Sequence, residues 1–327
     1  MVTGMLQSCI ETVSRGGDDE EPTQQEVPAE QTEISNSTHE ATSLLGVKLF
    51  RPPLSRRDSL KRSKQLNKAK TDYDSDSDNL ENIIWYGRRL AYLYNYKESI
   101  NIYSEGLKKF PESYRLYRHR GHRYISIRQF DNAIADLERA AFYVRDLPVV
   151  MEKDGLPNKR NIPRTSVQFN IWYHLGLAYY MKGNFDKAIS AYKKCLGVSD
   201  NDDMLVAATD WFYMTYRKIG NLEAAEALLE PISRKMSIME NYSYHNRLLM
   251  YKGLKKPENL LNLSKSSIND IDLITQGYGV GNWYYYNGEV NKAIEIFEKI
   301  IEAKSWHAFG YIAAEAELAN IRQARIL

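Results

Sequence analysis

The sequence predicts an all-α fold, a right-handed α-solenoid of stacked helix pairs that spans residues 80–327. Apolar residues recur there with helical spacing, and the helical segments come in pairs. Small residues also recur at a fixed period, since Gly87 and Gly121 lie 34 residues apart. Turn glycines follow at intervals of 37, 33 and 35 residues, at Gly183, Gly220, Gly253 and Gly288. Such regular intervals are typical of a row of similar helix pairs.

The composition bounds the class of protein. The 44 Lys and Arg residues nearly balance the 42 Asp and Glu residues, so the net charge is only +2. No general electrostatic field therefore favours nucleic acid as the partner. A hydrophobic content of 43% is enough for a substantial core. The 24 tyrosines suit packing between helices and contacts with a bound partner.

One repeat carries a specific signature. Trp172, Leu175, Gly176 and Tyr179 follow the spacing W-x2-L-G-x2-Y, and residues 80–111 and 114–145 repeat parts of it. This pattern closely resembles the tetratricopeptide repeat family. The resemblance implies about six helix-turn-helix repeats, and the Ala-rich segment 307–323 is expected to form a C-terminal capping helix. The segments YRHRGHRYISIRQFDNAIADLERAA and QFNIWYHLGLAYYMKGNF also resemble an uncharacterised bacterial subgroup, which implies no particular activity.

An insertion interrupts the array between the second and third repeats. Gly121 and Gly176 are 55 residues apart, which leaves an inserted loop at about residues 146–166. Pro148, Pro157 and Pro163 exclude a regular helix through it. Insertions in such arrays form loops at one edge, often near the binding face. Two interpretations remain: a surface loop without a role, or a stiff loop that closes over the groove.

Residues 1–79 are expected to form a disordered tail or linker. Residues 11–40 are acidic and poor in apolar side chains, whereas residues 48–70 are basic. The favoured interpretation is a solvated linker in which the acidic and basic blocks partly neutralise each other. The alternative is that the basic block contacts an anionic membrane or a nucleic acid. Cys9 ends the segment Leu6–Cys9, which resembles the end of a bacterial lipoprotein signal. As it stands the sequence suggests a cytoplasmic protein, and an envelope lipoprotein if the start lies upstream and Cys9 is lipidated.

In the tetratricopeptide family the first helices line a concave groove, and the resemblance maps that groove onto this chain. The predicted groove is basic and aromatic, which suits an extended and acidic peptide segment. The predicted groove residues are Trp85, Arg88, Tyr92, Arg118, His119, His122, Tyr173, His174, Trp211, Arg217, Arg247, Asn282 and Tyr285. The predicted function is thus a protein-interaction scaffold.

An enzyme is the alternative, because His119, His122 and His174 could face one groove. Three imidazoles are a known zinc ligand set, although no carboxylate falls at a clear ligand position. The chain contains no P-loop, no H-E-x-x-H and no G-x-S-x-G motif. The sequence therefore predicts no catalytic residues, no resident metal and no cofactor, and the histidines are expected to hydrogen-bond within the groove.

Overall fold

The computed structural model describes residues 39–261, 263 and 270–324. This part of the chain forms one two-stranded hairpin and fourteen helices. The strands are β1 (His39–Thr42) and β2 (Lys48–Phe50), and a long helix, α1 (Arg56–Ser75), follows them. Within the described residues, no helix combines the length and the apolar character that a membrane crossing requires.

Six helix pairs follow α1, which confirms the predicted all-α solenoid. They are α2 (Leu80–Tyr92) with α3 (Tyr96–Lys109), α4 (Tyr114–Ser126) with α5 (Phe130–Val144), α6 (Val167–Met181) with α7 (Phe185–Gly197), α8 (Asp202–Lys218) with α9 (Leu222–Ala227), α10 (Tyr242–Tyr251) with α11 (Pro257–Leu260), and α12 (Asp270–Tyr286) with α13 (Val290–Ile301). The first helix of each pair packs on the first helix of the next pair, from α2 on α4 through α10 on α12. These first helices form the inner face of the solenoid.

The pairs pack closely because small residues let neighbouring backbones approach. A Cβ on Gly176 of α6 would lie 2.5 Å from the ring of Tyr192 on α7, which is closer than packed atoms tolerate. Tyr192 itself is fully buried. Large aromatic residues therefore fill the space that the small residues of the repeat signature leave open.

The turn inside each helix pair contains one residue with positive φ, in the left-handed region that glycine adopts most easily. Glycine occupies this position in the last four pairs, at Gly183, Gly220, Gly253 and Gly288. The first two pairs instead use Tyr94 (φ 63°) and Arg128 (φ 66°). Both side chains contact the C-terminal segment, which stabilises them in a conformation that costs a non-glycine residue about 1 kcal/mol.

The N-terminal region differs from the expected disordered tail. Residues 39–79 are folded in the hairpin, α1 and the following turn. Ala41 and Leu49 join the core, and Arg62 of α1 donates to the carbonyl of Tyr92 at 2.5 Å. The prediction was wrong for these residues because their order depends on packing against distant helices, which local composition does not reveal. Residues 1–38, including Cys9, lie outside the described part of the chain.

The last helix, α14 (Phe309–Ala324), does more than cap the stack. It packs on α13 and α12, and it also reaches across the inner face to α6. The segment before it contacts the first repeat: the Trp306 ring lies 5.7 Å from Tyr96, and its Nε1 donates to the carbonyl of Phe50 at 2.6 Å. The solenoid therefore closes on itself, with its C-terminal end packed against its N-terminal end.

Candidate functional site

The closure fills the middle of the predicted groove. Phe309 of α14 packs on His122, His174 and Tyr173, with ring centroids 5.4, 5.6 and 6.4 Å apart. All three partners are almost fully buried. The expectation that these side chains line an open surface was therefore wrong, because α14 occupies the space in front of them.

The same holds for Trp211, Arg247 and Asn282. Arg247 forms a buried ion pair with Asp210, in which Nε donates to Oδ1 at 2.9 Å. Trp211 stacks on Tyr278 at 5.5 Å, and the Asn282 amide donates to the Tyr180 hydroxyl at 3.0 Å. These contacts join α6, α8, α10 and α12, so the three side chains are part of the core between the described helices.

Arg217 and Tyr285 lie at the edge of this buried region and are partly exposed. The Arg217 guanidinium lies 4.1 Å from the Tyr286 ring and donates to the Asn287 side chain at 2.9 Å. The Lys218 ammonium lies 4.5 Å from the Tyr285 ring and pairs with Glu317 of α14 at 2.8 Å. Both predicted residues thus already have partners within the chain.

The predicted groove stays accessible at the N-terminal end of the solenoid. A pocket of about 220 Å³ opens there between α2, α4 and the inserted loop. Its lining includes most of the predicted residues from the first two repeats and several from the loop: Glu81, Trp85, Arg88, Tyr114, Arg115, Arg118, His119, Val150, Met151, Glu152, Lys153 and Val167. Four cationic side chains and two carboxylates therefore border one opening. We call it the N-terminal pocket.

Glu152 of the inserted loop is the focus of this pocket. Its Oε2 lies 3.1 Å from Arg118 Nε and accepts a hydrogen bond from the Asn170 amide at 2.8 Å. Its Oε1 lies 3.6 Å from His119 Nε2 and 4.0 Å from Arg88 Nη1. Two guanidiniums and an imidazole from α2 and α4 thus converge on one carboxylate.

Burial sets the charges of this cluster. It lowers the pKa of His119 well below the usual range, and the neighbouring Arg118 adds to the effect, so His119 is neutral at pH 7. Burial also lowers the Arg118 pKa, which Glu152 partly offsets. For Arg88, burial is outweighed by Tyr92 and Glu152, and its pKa is raised. Both guanidiniums remain charged, since the arginine pKa begins far above neutrality.

Aromatic side chains flank the guanidiniums. The Trp85 ring lies 4.5 Å from the Arg88 guanidinium and 5.0 Å from that of Arg89. Arg88 Nη2 donates to the Tyr92 hydroxyl at 3.3 Å. The His119 ring stacks on Tyr103 at 5.8 Å, and its Nδ1 lies 2.9 Å from Arg118 Nη1. These contacts hold the cations in place before any ligand arrives, which lowers the cost of binding.

Sequence reasoning did not identify Glu152 or Asp154 as site residues. Both belong to the insertion, which has no counterpart in the repeat pattern. Its residues therefore cannot be assigned to groove positions from their place in a repeat. Their charge could have indicated them, because Glu152 and Asp154 are the acidic residues of the segment Met151–Gly155 and the predicted groove is basic.

Two carboxyl groups near the loop have pKa values close to neutrality. Burial raises the pKa of Asp154 to about 7, with Glu152 adding to the rise and Arg88 opposing it. Burial also raises the pKa of Glu240 to about 8. Glu240 binds the Asn158 side chain of the loop, and its charged neighbours are Asp154, Asp203 and Arg164. Both carboxyls therefore bind a proton more readily in the folded protein than exposed carboxyls do.

This arrangement predicts a pH dependence. Consider a carboxyl whose pKa is higher in the folded protein than in the unfolded chain. The free energy of unfolding then decreases as the pH rises from the unfolded pKa, near 4, to the folded pKa. We expect the melting temperature of the wild type to fall between pH 6 and pH 8 more steeply than that of the variant Asp154→Asn plus Glu240→Gln. Calorimetry at a series of pH values measures both slopes. The buried histidines contribute equally to both proteins, and parallel slopes would contradict the prediction.

The histidines do not form a metal site in the described part of the chain. His122 and His174 lie 4.2 Å apart between ring centroids, and burial lowers both pKa values well below the usual range. No group of three or more His, Cys, Asp or Glu side chains among the described residues could hold a metal ion. Cys195 is fully buried and contacts the carbonyl of Phe169.

The fold defines a solenoid of helix-turn-helix repeats, and comparison with known proteins agrees with that class. Residues 169–202 match the tetratricopeptide repeat family model, on the segment that holds the W-x2-L-G-x2-Y signature. The fold and this match together describe a tetratricopeptide-type repeat protein. No curated protein sequence matches the chain.

Several solved repeat proteins are similar in structure. MamA from Desulfovibrio magneticus RS-1 is 16% identical, with a TM-score of 0.41 over 52% of this chain and 82% of its own. Another MamA crystal structure is 17% identical, with a TM-score of 0.41 over 62% of this chain and 100% of its own. YrrB, described as a TPR protein with an unusual peptide-binding site, is 14% identical, with a TM-score of 0.40 over 75% and 96%. Likenesses at this level say nothing of what this chain binds.

Proposed function

We propose that the chain is a non-enzymatic protein-interaction scaffold that binds an extended, acidic peptide segment of a partner protein at the N-terminal pocket. The observation that carries the proposal is the convergence of Arg88, Arg118 and His119 on a single carboxylate at the wall of an open pocket. A cluster of this kind suits carboxylates, because guanidinium groups make charge-assisted hydrogen bonds with them.

The proposed binding site is the N-terminal pocket alone, whereas the sequence predicted a binding surface along the whole groove. Contacts of α14 already occupy the central and C-terminal parts of the inner face, whereas the N-terminal pocket is open. Arg115 and Trp85 line this pocket and are only partly buried, so both present part of their surface to a peptide. Trp and Arg are the side chains that most often carry binding energy at protein interfaces.

The test compares two labelled peptides of equal length, one with glutamates and one with glutamines, by fluorescence anisotropy with the full-length protein. We expect the wild type to prefer the glutamate peptide, and Arg115→Glu to weaken that binding by about tenfold or more, because it reverses one charge at the mouth. Arg115 is a suitable site because it lies near the surface and pairs there with Glu81.

The matched control is Lys193→Glu, the same charge reversal at an exposed position on α7, away from the pocket. Its affinity for the glutamate peptide should stay within about twofold of the wild type, since exposed charges further apart than the Debye length interact weakly. Equal binding of the two peptides, or equal effects of the two substitutions, would place the binding surface elsewhere.

A further inference from the structure

The segment Glu152–Gly155 of the inserted loop lies in the N-terminal pocket in the manner of a bound peptide. The Glu152 carboxylate occupies the cationic cluster of Arg88, Arg118 and His119. The next side chain, Lys153, is exposed and also borders the pocket. The segment therefore places one acidic side chain against the inner face and the following side chain towards solvent.

Asp154 continues this alternation. Its carboxyl is partly buried beside Glu152, Arg118 and Arg88, in a small recess that these side chains share with Asn170. Its Oδ2 is buried and makes no hydrogen bond within the described part of the chain. Glu152 and Asp154 lie two residues apart in the chain, and both side chains border this recess.

Gly155 completes the contact through its backbone. Its carbonyl accepts a hydrogen bond from Arg89 Nη1 at 3.0 Å. A Cβ at this position would lie 1.7 Å from the Tyr92 hydroxyl, so only glycine lets the backbone pass this close to the ring. The segment is thus held through the Glu152 carboxylate, the partly buried Asp154 carboxyl and the Gly155 backbone carbonyl.

The fit of this internal segment is incomplete. Arg118 Nε lies 3.1 Å from Glu152, yet the geometry gives it no hydrogen bond with any described residue. Arg88 is 4.0 Å from the same carboxylate, longer than a hydrogen bond. Buried donors that lack aligned acceptors cost free energy, and a ligand with better geometry would recover it.

The two ends of the loop are joined by backbone hydrogen bonds next to Glu152. The Glu152 N–H donates to the Thr165 carbonyl at 2.9 Å, and the Val167 N–H donates to the Val150 carbonyl at 2.8 Å. These bonds anchor the base of the loop to the start of α6. Glu152 keeps this backbone anchor, so its carboxylate leaves the cluster by a change of side-chain rotamer. Residues 153–156 make no backbone–backbone hydrogen bond with the described residues and can move away without unfolding a helix.

We infer that Glu152–Gly155 is an internal ligand, and that the partner segment replacing it carries the same pattern: two acidic side chains two residues apart, the second followed by glycine. This inference rests on the proposed function and names its ligand. The two segments exclude one another because the cluster holds one carboxylate. The apparent affinity for the partner is then reduced by the fraction of molecules in which the loop is docked.

The experiment weakens the internal ligand and measures the external one. The probe is a labelled, N-acetylated peptide with the core Glu-Lys-Asp-Gly, and the reference peptide has Gln-Lys-Asn-Gly. We expect Glu152→Gln in the full-length protein to bind the acidic peptide about tenfold more tightly than the wild type. The matched control is Asp146→Asn, which neutralises an exposed acid in the same loop region and should leave the affinity unchanged.

The possible outcomes separate the two proposals. If the wild type and Glu152→Gln both prefer the acidic peptide but bind it equally, the internal ligand is wrong and the proposed function stands. If neither protein prefers the acidic peptide over the reference, the proposed function fails as well. Equal binding of a peptide with adjacent acids, Glu-Asp-Lys-Gly, would overturn the spacing. Should Glu152→Gln fold poorly, Glu152→Asp, which withdraws the carboxylate by one methylene, tests the same point.

Discussion

Replacing Arg128 by methionine is expected to lower the free energy of unfolding by about 3–5 kcal/mol. Arg128 lies in the turn between α4 and α5, and Nε and Nη2 each donate to the Glu315 carboxylate of α14 at 3.0 Å. Nη2 also donates to the Trp306 carbonyl at 2.7 Å. Both members of the pair are almost fully buried. The substitution therefore leaves the Glu315 carboxylate with only the Leu44 N–H, at 3.4 Å, as a hydrogen-bond donor among the described residues.

Urea denaturation followed by circular dichroism measures this loss. Lys108→Met is the control, because Lys108 forms an exposed ion pair with Glu105 on α3, and such pairs contribute about 0–1 kcal/mol. The double variant Arg128→Met plus Glu315→Leu should recover much of the stability, since it removes both buried charges. If Arg128→Met costs no more than Lys108→Met, then α14 does not close the solenoid through this pair.

Asp210→Ala is expected to cost a similar amount, about 3–5 kcal/mol, at the opposite end of the inner face. Asp210 and Arg247 join α8 to α10 and are both buried, and Arg247 Nη1 also donates to the Thr275 carbonyl of α12 at 2.9 Å. Without Asp210 the Arg247 guanidinium stays buried beside Tyr244, and the Thr275 carbonyl is then its only hydrogen-bond acceptor among the described residues.

The same denaturation series measures Asp210→Ala against Asp210→Asn, which keeps one hydrogen-bond acceptor and should lose less. Below the melting temperature, the affinity of Asp210→Asn for the glutamate peptide should match that of the wild type, since the N-terminal pocket is built from α2, α4 and the loop. A loss of peptide binding in a folded Asp210→Asn protein would show that the buried region communicates with the pocket or forms part of the binding surface.

The Arg128–Glu315 and Asp210–Arg247 ion pairs explain why part of the predicted groove is buried in the core. The repeat pattern predicts that Arg247 faces the inner surface, and it does face that surface. The prediction assumed that an inward position is an accessible one, as in an open solenoid. Here the inner face is covered by α14 and by neighbouring first helices, so an arginine on it requires a buried carboxylate such as Asp210.

The sequence alone determined the repeat architecture, because helix pairing depends on side chains a few residues apart, as in Trp172–Tyr179, and on turns such as Gly183. It also identified Arg88, Arg118 and His119 as neighbours on one face. Tertiary structure decided what faces them. Arg128 and Glu315 are 187 residues apart, and their meeting depends on the curvature summed over all the repeats, which no local period specifies. The position of Glu152 likewise depends on how a loop outside the repeat pattern folds back onto that face.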